Sequence, residues 1–234
     1  MDKFSIVIPT FNEIDNIENL VKKVSSNLKK NIFEIIIIDD NSLDGTKKIL
    51  KHIKLENKKF NYFIRKNVNR DLSKSIILGI SKCKYDNIII MDGDLQHNPK
   101  YLPNICKIFS KKNFDFLVCS RNFKKRNGLS FIRFYSSKLL ILVINLLLGK
   151  KVSDPMSGFF IFKKSFYYSN KNFIYDKGFK ILLNLIYSTK KKLKIYEKKI
   201  IFEKRFNNKS KMNFVVLFHI LISLIYYFNL NKKR

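Results

Sequence analysis

Two carboxylates at the end of an apolar run are the residues whose types and spacing point most directly to chemistry. Asp92 and Asp94 are separated by Gly93, and they follow the wholly apolar residues 88–91. Such a run is typical of a strand buried on both faces of a parallel sheet, and ligands bind at the C-terminal ends of such strands. Two unpaired carboxylates would repel each other, so the spacing predicts a divalent cation between them.

Two earlier apolar runs also end in acidic residues. Residues 4–8 lead into the stretch PTFNE, and residues 33–38 lead into DDNSLDGT. A single acidic stretch at a strand end is more often a structural turn than a site. Three acid-ended strands that meet at one sheet edge favour a cation-dependent site that binds phosphate groups.

The strands must be positioned by a larger α/β framework. Apolar strand patterns cover residues 4–8, 33–38, 60–64, 88–91 and 114–120. Helical periodicity lies between them, at residues 14–28, around 49–53, at 72–80 and after Pro99. Because strands that alternate with helices are typical of parallel sheets, we predict an α/β fold with a mostly parallel sheet flanked by helices.

The second half of the chain contains longer apolar segments. Residues 131–148 have a helical pattern, and residues 139–148 within them are nearly all aliphatic. That run is too short to span a bilayer, which needs roughly 20 apolar residues. They predict either a core helix or a helix in the membrane interface. Further patterns predict a polar turn and strand at 153–162, a helix at 178–187, a strand at 193–202 and a basic segment at 204–211.

Residues 214–230 form the most apolar segment. At about 17 residues it would reach roughly 25 Å as a helix, short of the ~30 Å hydrocarbon core. Its polar side chains fall on one helical stripe: His219, Ser223 and Tyr226 or Tyr227. Basic residues flank both ends, which favours a helix lying in the interface; a spanning helix and a buried helix or dimer contact are the alternatives. We predict a catalytic domain at 1–211 and a membrane-associated helix with a basic tail at 212–234.

The composition limits the class of protein and of partner. The 234 residues suffice for one sizeable domain, and a hydrophobic content of 46% excludes a disordered chain. With 47 basic and 18 acidic residues the formal net charge is +29. The abundance of Lys, Asn and Ile indicates that part of this charge is a genomic compositional bias, which carries no function. The rest indicates a polyanionic partner, namely nucleic acid, an anionic bilayer surface or a phosphorylated substrate.

The cysteines and the N-terminus bear on location. Cys83, Cys106 and Cys119 have neither metal-ligand spacing nor an even count, which fits reduced thiols in the cytosol. The first residues enter a strand directly and show no signal-peptide pattern. We therefore expect the catalytic part to lie on the cytoplasmic side, as a peripheral or C-terminally anchored protein.

Five motifs occur in order across residues 4–211, namely PTFNE, DDNSLDGT, MDGDLQHNP, SDPMSGF and RFNNKSK. With these motifs the chain resembles the family 2 glycosyltransferases of GT-A fold, and more narrowly the dolichyl-phosphate mannosyltransferase and polyprenyl-phosphate glycosyltransferase group. The first two motifs are shared across the family, whereas the last three are more specific to the lipid-phosphate branch. The resemblance implies inverting, metal-dependent transfer of a hexose, with mannose favoured, to a polyprenyl phosphate at the cytoplasmic membrane face.

The resemblance also implies roles for individual residues. The base and ribose of a nucleotide sugar, either GDP-mannose or a UDP-hexose, would be held by Pro9, Phe11, Glu13, Ile38 and Asp40. Mg²⁺ or Mn²⁺, and through it the diphosphate, would be held by Asp92, Gly93, Asp94 and Gln96, with Asp92, Asp94 and Gln96 as the metal ligands. Phosphate groups would be bound by Arg121, Arg205 and Lys211, and the acceptor phosphate by Arg121 and Arg133. The catalytic residues would be Asp92, Asp94 and Arg205.

Simpler interpretations apply to four residues near these motifs. Asp44 and Asn98 are most simply helix caps. His97 either orders its loop or touches the substrate. Arg133 either binds the lipid phosphate or lies on the solvent-exposed face of an interfacial helix. The chain departs from the family pattern at residues 70–73, which replace a glycine-containing turn.

The expected chemistry follows from the charges. A bound cation with Arg205 and Lys211 would neutralise the leaving diphosphate. A polyprenyl phosphate oxygen is already anionic, so the acceptor needs no strong general base, and the three histidines supply none partnered to an acid. One alternative is a family 2 enzyme that acts on a soluble sugar or a protein. The other is a non-enzymatic basic protein that binds membrane or nucleic acid. It leaves the acid-ended strands unexplained, so we expect no nucleic-acid partner.

Overall fold

The structure is a computed structural model that describes residues 2–66, 69–121, 131–203 and 214–233. The strands are β1 (Lys3–Thr10), β2 (Ile32–Asp39), β3 (Phe60–Ile64), β4 (Asn87–Ile90), β5 (Phe116–Arg121), β6 (Phe160–Lys163) and β7 (Ile195–Ile200). The α-helices are α1 (Ile14–Asn27), α2 (Thr46–Glu56), α3 (Leu72–Lys82), α4 (Leu102–Lys111), α5 (Phe131–Leu148), α6 (Lys164–Asn170), α7 (Ile181–Tyr187) and α8 (Phe214–Lys233). Short 3₁₀ helices lie at Pro99–Tyr101 and Lys171–Phe173.

The described strands form one seven-stranded sheet in the order β3-β2-β1-β4-β6-β5-β7. Only β6 is antiparallel to its neighbours, β4 and β5, while the other paired strands run parallel. The predicted mostly parallel α/β fold is therefore confirmed. This arrangement brings the C-terminal ends of β1, β2, β4 and β5 to one edge of the sheet.

The side-chain alternation of the strands divides the core into two layers. On β1, Phe4, Ile6 and Ile8 face a layer built with α1, α2 and α4, whereas Val7 faces the opposite layer. That second layer contains buried residues of α3, α5, α7 and α8. Because both faces of the sheet are covered, the central strands read as continuous apolar runs.

Helix α8 contributes one of its faces to the second layer. Val216, Ile220, Leu224 and Tyr227 are all at most 3% exposed and belong to the same core cluster as β4 and α7. The predicted domain boundary between residues 211 and 212 lies outside the described residues. None of the described helices is both long and apolar enough to cross a membrane.

The predicted elements differ from the structure mainly in the second half. The polar turn and strand predicted at 153–162 yield only the short strand β6, and the helix predicted at 178–187 begins only at Ile181. Helix α6 was not predicted. None of its residues is buried, so residues 164–170 lack the apolar periodicity that indicates a helix.

Candidate active site

A cleft of about 940 Å³, measured out to its open mouth, lies at the C-terminal edge of β1, β2 and β4. Seven predicted site residues line it: Pro9, Phe11, Glu13, Asp40, Asp92, Gly93 and Asp94. They come from three separate motifs, and parallel strand pairing brings them together because each motif follows the carboxyl end of a strand. The cleft is therefore the place where the predicted donor-binding residues converge.

The loop that carries the paired carboxylates is ordered by His97. The Nδ1 atom of His97 accepts a hydrogen bond from the Asp92 amide at 3.2 Å. Its ring, 1% exposed, stacks on Phe159 at 5.3 Å and meets Phe202 edge-on at 4.8 Å. The structure thus supports the interpretation in which His97 orders its loop.

The two carboxylates form a donor set that suits a hard divalent cation. The Asp92 side chain is 36% exposed and Asp94 is 7% exposed, and both face the cleft. Among the described residues, no group of three or more His, Cys, Asp or Glu side chains could hold a metal by itself. Mg²⁺ is commonly bound by one or two carboxylates together with substrate phosphates and water. The residues therefore fit a cation that binds jointly with a diphosphate.

Gln96 anchors the segment that follows β7. Its side-chain amide donates to the Glu203 carbonyl at 3.3 Å, and the Glu203 amide donates to the Gln96 carbonyl at 3.0 Å. Gln96 is absent from the cleft lining, so its role as a metal ligand stays a prediction. Asn98 accepts from the Lys100 amide at 2.9 Å and caps the 3₁₀ helix, as predicted.

Asp44 joins the loops that follow β1 and β2. One carboxylate oxygen accepts from the Thr46 amide at 3.0 Å, and the other accepts from the Ile14 amide at 3.0 Å. Asp44 therefore serves the N-termini of both α2 and α1. Burial acts to raise the pKa of this carboxyl, but the hydrogen bonds from Thr46 and Ile14 outweigh it and hold the pKa below its ordinary value.

Asp40 lies on the cleft wall in a network of donors. It accepts from the Ser75 hydroxyl at 2.8 Å and from the Asp71 amide at 2.9 Å, and it forms an ion pair with Arg65. This network fixes the carboxylate at the end of β2. The predicted contact between Asp40 and the ribose stays a prediction, and the sequence did not indicate the partner Arg65.

Ile38 is a predicted site residue that belongs to the hydrophobic core. Its side chain is fully buried, and a Cβ added to Gly79 of α3 would stand 3.3 Å from Ile38 Cγ1. Ile38 is absent from the cleft lining, and its predicted contact with the nucleotide stays a prediction.

The structure describes the side chain of only one of the predicted phosphate-binding residues, Arg121. Arg121 forms a buried ion pair with Asp154, and its Nη1 lies 3.4 Å from the Ser137 hydroxyl oxygen. Its role in phosphate binding stays a prediction. Arg133 belongs to α5, but its side chain lies outside the described part of the structure, as do Arg205 and Lys211 altogether.

Two basic residues in the cleft were not predicted. The Arg70 guanidinium lies 4.9 Å from the ring centroid of Phe11 and 5.4 Å from that of Phe179. Lys180 lines the cleft, with Nζ 3.5 Å from the Met156 carbonyl oxygen. The departure from the family pattern at 70–73 could have indicated a special role for Arg70. Lys180 is one of many lysines and carried no signal.

The fold and the cleft define an α/β protein of the GT-A class, with paired carboxylates at the ligand-binding edge of a mostly parallel sheet. The chain belongs to glycosyl transferase family 2, whose model matches residues 5–169. The predicted family is thereby confirmed.

Known relatives agree with the narrower resemblance. The chain is 32% identical to a dolichol-phosphate mannosyltransferase of Pyrococcus furiosus over 94% of its own length, and it spans 62% of that relative's length. It is 29% identical to a dolichol-phosphate mannosyltransferase of Mycosarcoma maydis, covering 94% of this chain and 77% of the relative. The predicted similarity to this group is confirmed.

A solved structure agrees with the fold. Glucosyl-3-phosphoglycerate synthase from Mycobacterium tuberculosis, crystallised with UDP, matches with a TM-score of 0.75 at 15% identity. The match covers 97% of this chain and 80% of the synthase. At this identity the likeness concerns the fold alone.

Proposed function

We propose that this chain transfers a hexose from a nucleotide sugar to a polyprenyl phosphate, with inversion at the anomeric carbon and with Mg²⁺ or Mn²⁺ as cofactor. The observation that carries the proposal is the pair Asp92 and Asp94 in a cleft whose wall also holds Arg70 and Lys180. Carboxylates for a cation and basic side chains for phosphate are the groups that a nucleoside diphosphate needs. The relatives named dolichol-phosphate mannosyltransferase support mannose as the sugar and a lipid phosphate as the acceptor.

The donor is a nucleotide sugar, either GDP-mannose or a UDP-hexose. The Mycobacterium tuberculosis synthase has been crystallised with Mn²⁺ and UDP-glucose, which supports the joint binding of a cation and a nucleotide sugar in this fold. In this chain Asp92 and Asp94 would hold the cation, and the Phe11 ring would face the base. His97 would keep the carboxylate loop in place through the Asp92 amide.

In the reaction, an oxygen of the acceptor phosphate attacks the anomeric carbon. The bond from that carbon to the diphosphate breaks, and the nucleoside diphosphate leaves with the electron pair. A bound cation would neutralise the charge that develops on the leaving group. The acceptor oxygen carries no proton that must be removed. His97, the histidine beside the carboxylates, accepts a hydrogen bond from the Asp92 amide at Nδ1, and its Nε2 lies 3.8 Å from Asp92 Oδ2. We assign it the ordering of this loop.

The test is a transfer assay with a short, soluble polyprenyl phosphate. GDP-mannose and UDP-glucose are supplied in turn, with Mn²⁺, with Mg²⁺ or with EDTA, and the products are identified by mass spectrometry. We expect a hexosyl lipid phosphate from one of the donors in the presence of a cation only. Transfer to a soluble sugar or protein, with none to the lipid phosphate, would overturn the proposed acceptor.

We also propose that the domain rests on the cytoplasmic face of an anionic bilayer. Helices α5 and α8 pack together, and each exposes an apolar stripe. The two stripes, here called the apolar face, consist of Tyr135, Leu139, Leu142 and Leu146 of α5 and Phe218, Leu221, Ile225 and Phe228 of α8. Large apolar patches are uncommon on soluble monomers and mark binding surfaces.

Charge and packing favour a bilayer as the occupant of the apolar face. Exposed lysines accompany it, including Lys138 and Lys150 at α5 and Lys232 at the end of α8. Basic residues around an apolar stripe are typical of helices that lie in an anionic interface. The opposite side of α8 is buried in the core, which supports an in-plane helix over a spanning one. The three free cysteines fit the cytoplasmic side.

Vesicle binding tests this surface. Ile225→Glu places a charge on the apolar face, where Ile225 is 62% exposed, so folding should be retained. Ser110→Glu adds the same charge to α4, on the other side of the sheet, as a matched control. We expect Ile225→Glu alone to weaken sedimentation with vesicles that contain anionic lipid. Equal binding of both variants would overturn the proposed membrane surface.

A further inference from the structure

Gly158 lies directly against the carboxylate of Asp92. A Cβ built on Gly158 would stand 2.4 Å from Oδ2, 2.6 Å from Oδ1 and 2.7 Å from Cγ of Asp92. Nonbonded carbon and oxygen atoms do not approach this closely. The carboxylate can therefore occupy its position only because residue 158 has no side chain.

The glycine is needed here for space and not for backbone freedom. The described glycines with positive φ are Gly45, Gly149 and Gly178, and Gly158 is not among them. Position 158 therefore does not require the left-handed backbone conformation that favours glycine. The cost of such a substitution would fall on the contact with Asp92.

The loop around Gly158 is held in place, so its backbone cannot easily retreat. The Ser157 hydroxyl donates to the Cys119 carbonyl at 2.7 Å, and the Ser157 amide donates to the Asp154 carbonyl at 3.2 Å. Asp154 is itself fully buried and paired with Arg121. An added side chain at residue 158 would therefore displace the Asp92 carboxylate, which is the end of a side chain with rotatable bonds.

Asp92 is thus held from two sides. His97 fixes its main chain through the amide, and Gly158 supports the carboxylate from the SDPMSG loop. We infer that Gly158 is a positioning residue, which sets the location of the Asp92 carboxylate for cation binding. The inference rests on the proposed cation-dependent transfer and assigns one purpose of the SDPMSGF motif.

Gly158→Ala should therefore lower cation affinity while the fold is retained. The Asp92 side chain is 36% exposed and can rotate outward, away from an added methyl group. Substitution of a residue that orients a metal ligand typically costs roughly 10–100-fold in metal affinity. We expect a loss of this size for Mn²⁺ measured in the presence of GDP or UDP.

The experiment measures free Mn²⁺ by its electron paramagnetic resonance signal during titration of the full chain at fixed GDP and, separately, UDP. Gly149→Ala is the matched control, because Gly149 has φ +76° and nothing lies within 4 Å of its added Cβ. The control should lower the unfolding temperature through backbone strain and leave Mn²⁺ affinity unchanged. Gly158→Ala should raise the Kd for Mn²⁺ while its unfolding temperature in EDTA stays close to that of wild type.

A double-mutant cycle keeps the inference testable if Gly158→Ala is strongly destabilised. The stability cost of Gly158→Ala is measured in EDTA with Asp92 present and again in the Asp92→Ala background. We expect the cost to fall when the carboxylate is removed, since the two groups collide directly. A large cost that is equal in both backgrounds, or equal Mn²⁺ affinity in wild type and Gly158→Ala, would overturn the inference. Absence of nucleotide-dependent Mn²⁺ binding in the wild type would instead overturn the proposed function.

Discussion

The hydroxyl of Tyr227 on α8 donates a hydrogen bond to the main-chain carbonyl of Asn184 on α7 at 2.9 Å. The same hydroxyl accepts one from the Tyr175 amide at 2.8 Å. Tyr227 is fully buried, and its oxygen pairs with two main-chain groups, the part-buried Tyr175 amide and the carbonyl of the buried Asn184. Helix α8 is therefore joined to the core by polar as well as apolar contacts.

Tyr227→Phe should destabilise the whole domain. The substitution leaves the Asn184 carbonyl and the Tyr175 amide without the phenol, and an unsatisfied buried group costs about 1–3 kcal/mol. Urea unfolding should show a lower midpoint. The control is Tyr226→Phe, whose hydroxyl makes no hydrogen bond with the described residues. Equal midpoints for both variants would indicate an α8 that is only loosely attached.

The sequence predicted α8 as a helix but not which face meets the protein. Its polar residues were placed on one stripe, and in the structure Ser223 and Tyr227 of that stripe face the core. The outward stripe is apolar, as at Ile225. Periodicity identifies two faces of a helix, but only the tertiary contacts decide which of them is buried.

The strands of the first half were predictable because an apolar run identifies a buried strand from local residues alone. The insertion of β6 between β4 and β5 was not, since its apolar run carries no information on order or direction. The same limit applies to the site. Asp92 and Asp94 are neighbours in sequence, whereas the contact of Gly158 with Asp92 joins distant parts of the chain.

Asp154→Asn should cost more stability than a surface substitution. The Arg121 guanidinium binds Asp154 at two points, Nε to Oδ2 at 2.7 Å and Nη2 to Oδ1 at 2.9 Å. Loss of one partner of a buried ion pair typically costs 3–5 kcal/mol, so we expect about that loss in urea unfolding. The double variant Arg121→Met, Asp154→Leu should recover much of it. If the double variant recovered no stability, the loss in Asp154→Asn could not be explained by an unpaired Arg121 alone.

The same pair predicts how stability depends on pH. Burial acts to raise the pKa of Asp154, but the charge and hydrogen bonds of Arg121 outweigh it and hold the pKa below its ordinary value of 3.8. A carboxyl with a lowered folded-state pKa contributes stability above its unfolded pKa and loses it as the pH falls through the folded pKa. Urea unfolding from about pH 5 to about pH 2.5 should therefore show a steeper loss in wild type than in Asp154→Asn. Parallel curves would contradict the lowered pKa.

Asp94→Asn should remove cation-dependent nucleotide binding and leave the fold intact. The amide is close in size to the carboxylate and keeps an oxygen that can accept from the Gln96 amide, now 3.2 Å from Oδ1. Turnover should fall roughly 10²–10³-fold, the effect of removing one preorganised electrostatic group. The measurement is the rise in unfolding temperature caused by GDP or UDP with and without Mn²⁺. A Mn²⁺-dependent rise equal to that of wild type would contradict the metal assignment.

Arg70→Ala should weaken donor binding more than it slows transfer. The Arg70 guanidinium lies over the Phe11 ring, on the side of the cleft assigned to the base. A cation placed over an aromatic ring contributes about 1 kcal/mol, so KM for the nucleotide sugar should rise about fivefold with kcat nearly unchanged. Arg70→Lys keeps the charge without the flat guanidinium and should show an intermediate KM.

Lys177→Ala is the matched control for Arg70→Ala, because it removes one exposed positive charge from the chain segment next to Phe179 without touching the cleft lining. It should leave KM at the wild-type value. An equal rise in KM for both variants would show that Arg70 acts only through its positive charge and not through its place over the Phe11 ring. A fall in kcat at unchanged KM would place Arg70 beside the reacting phosphate, since only an interaction made in the transition state changes kcat alone.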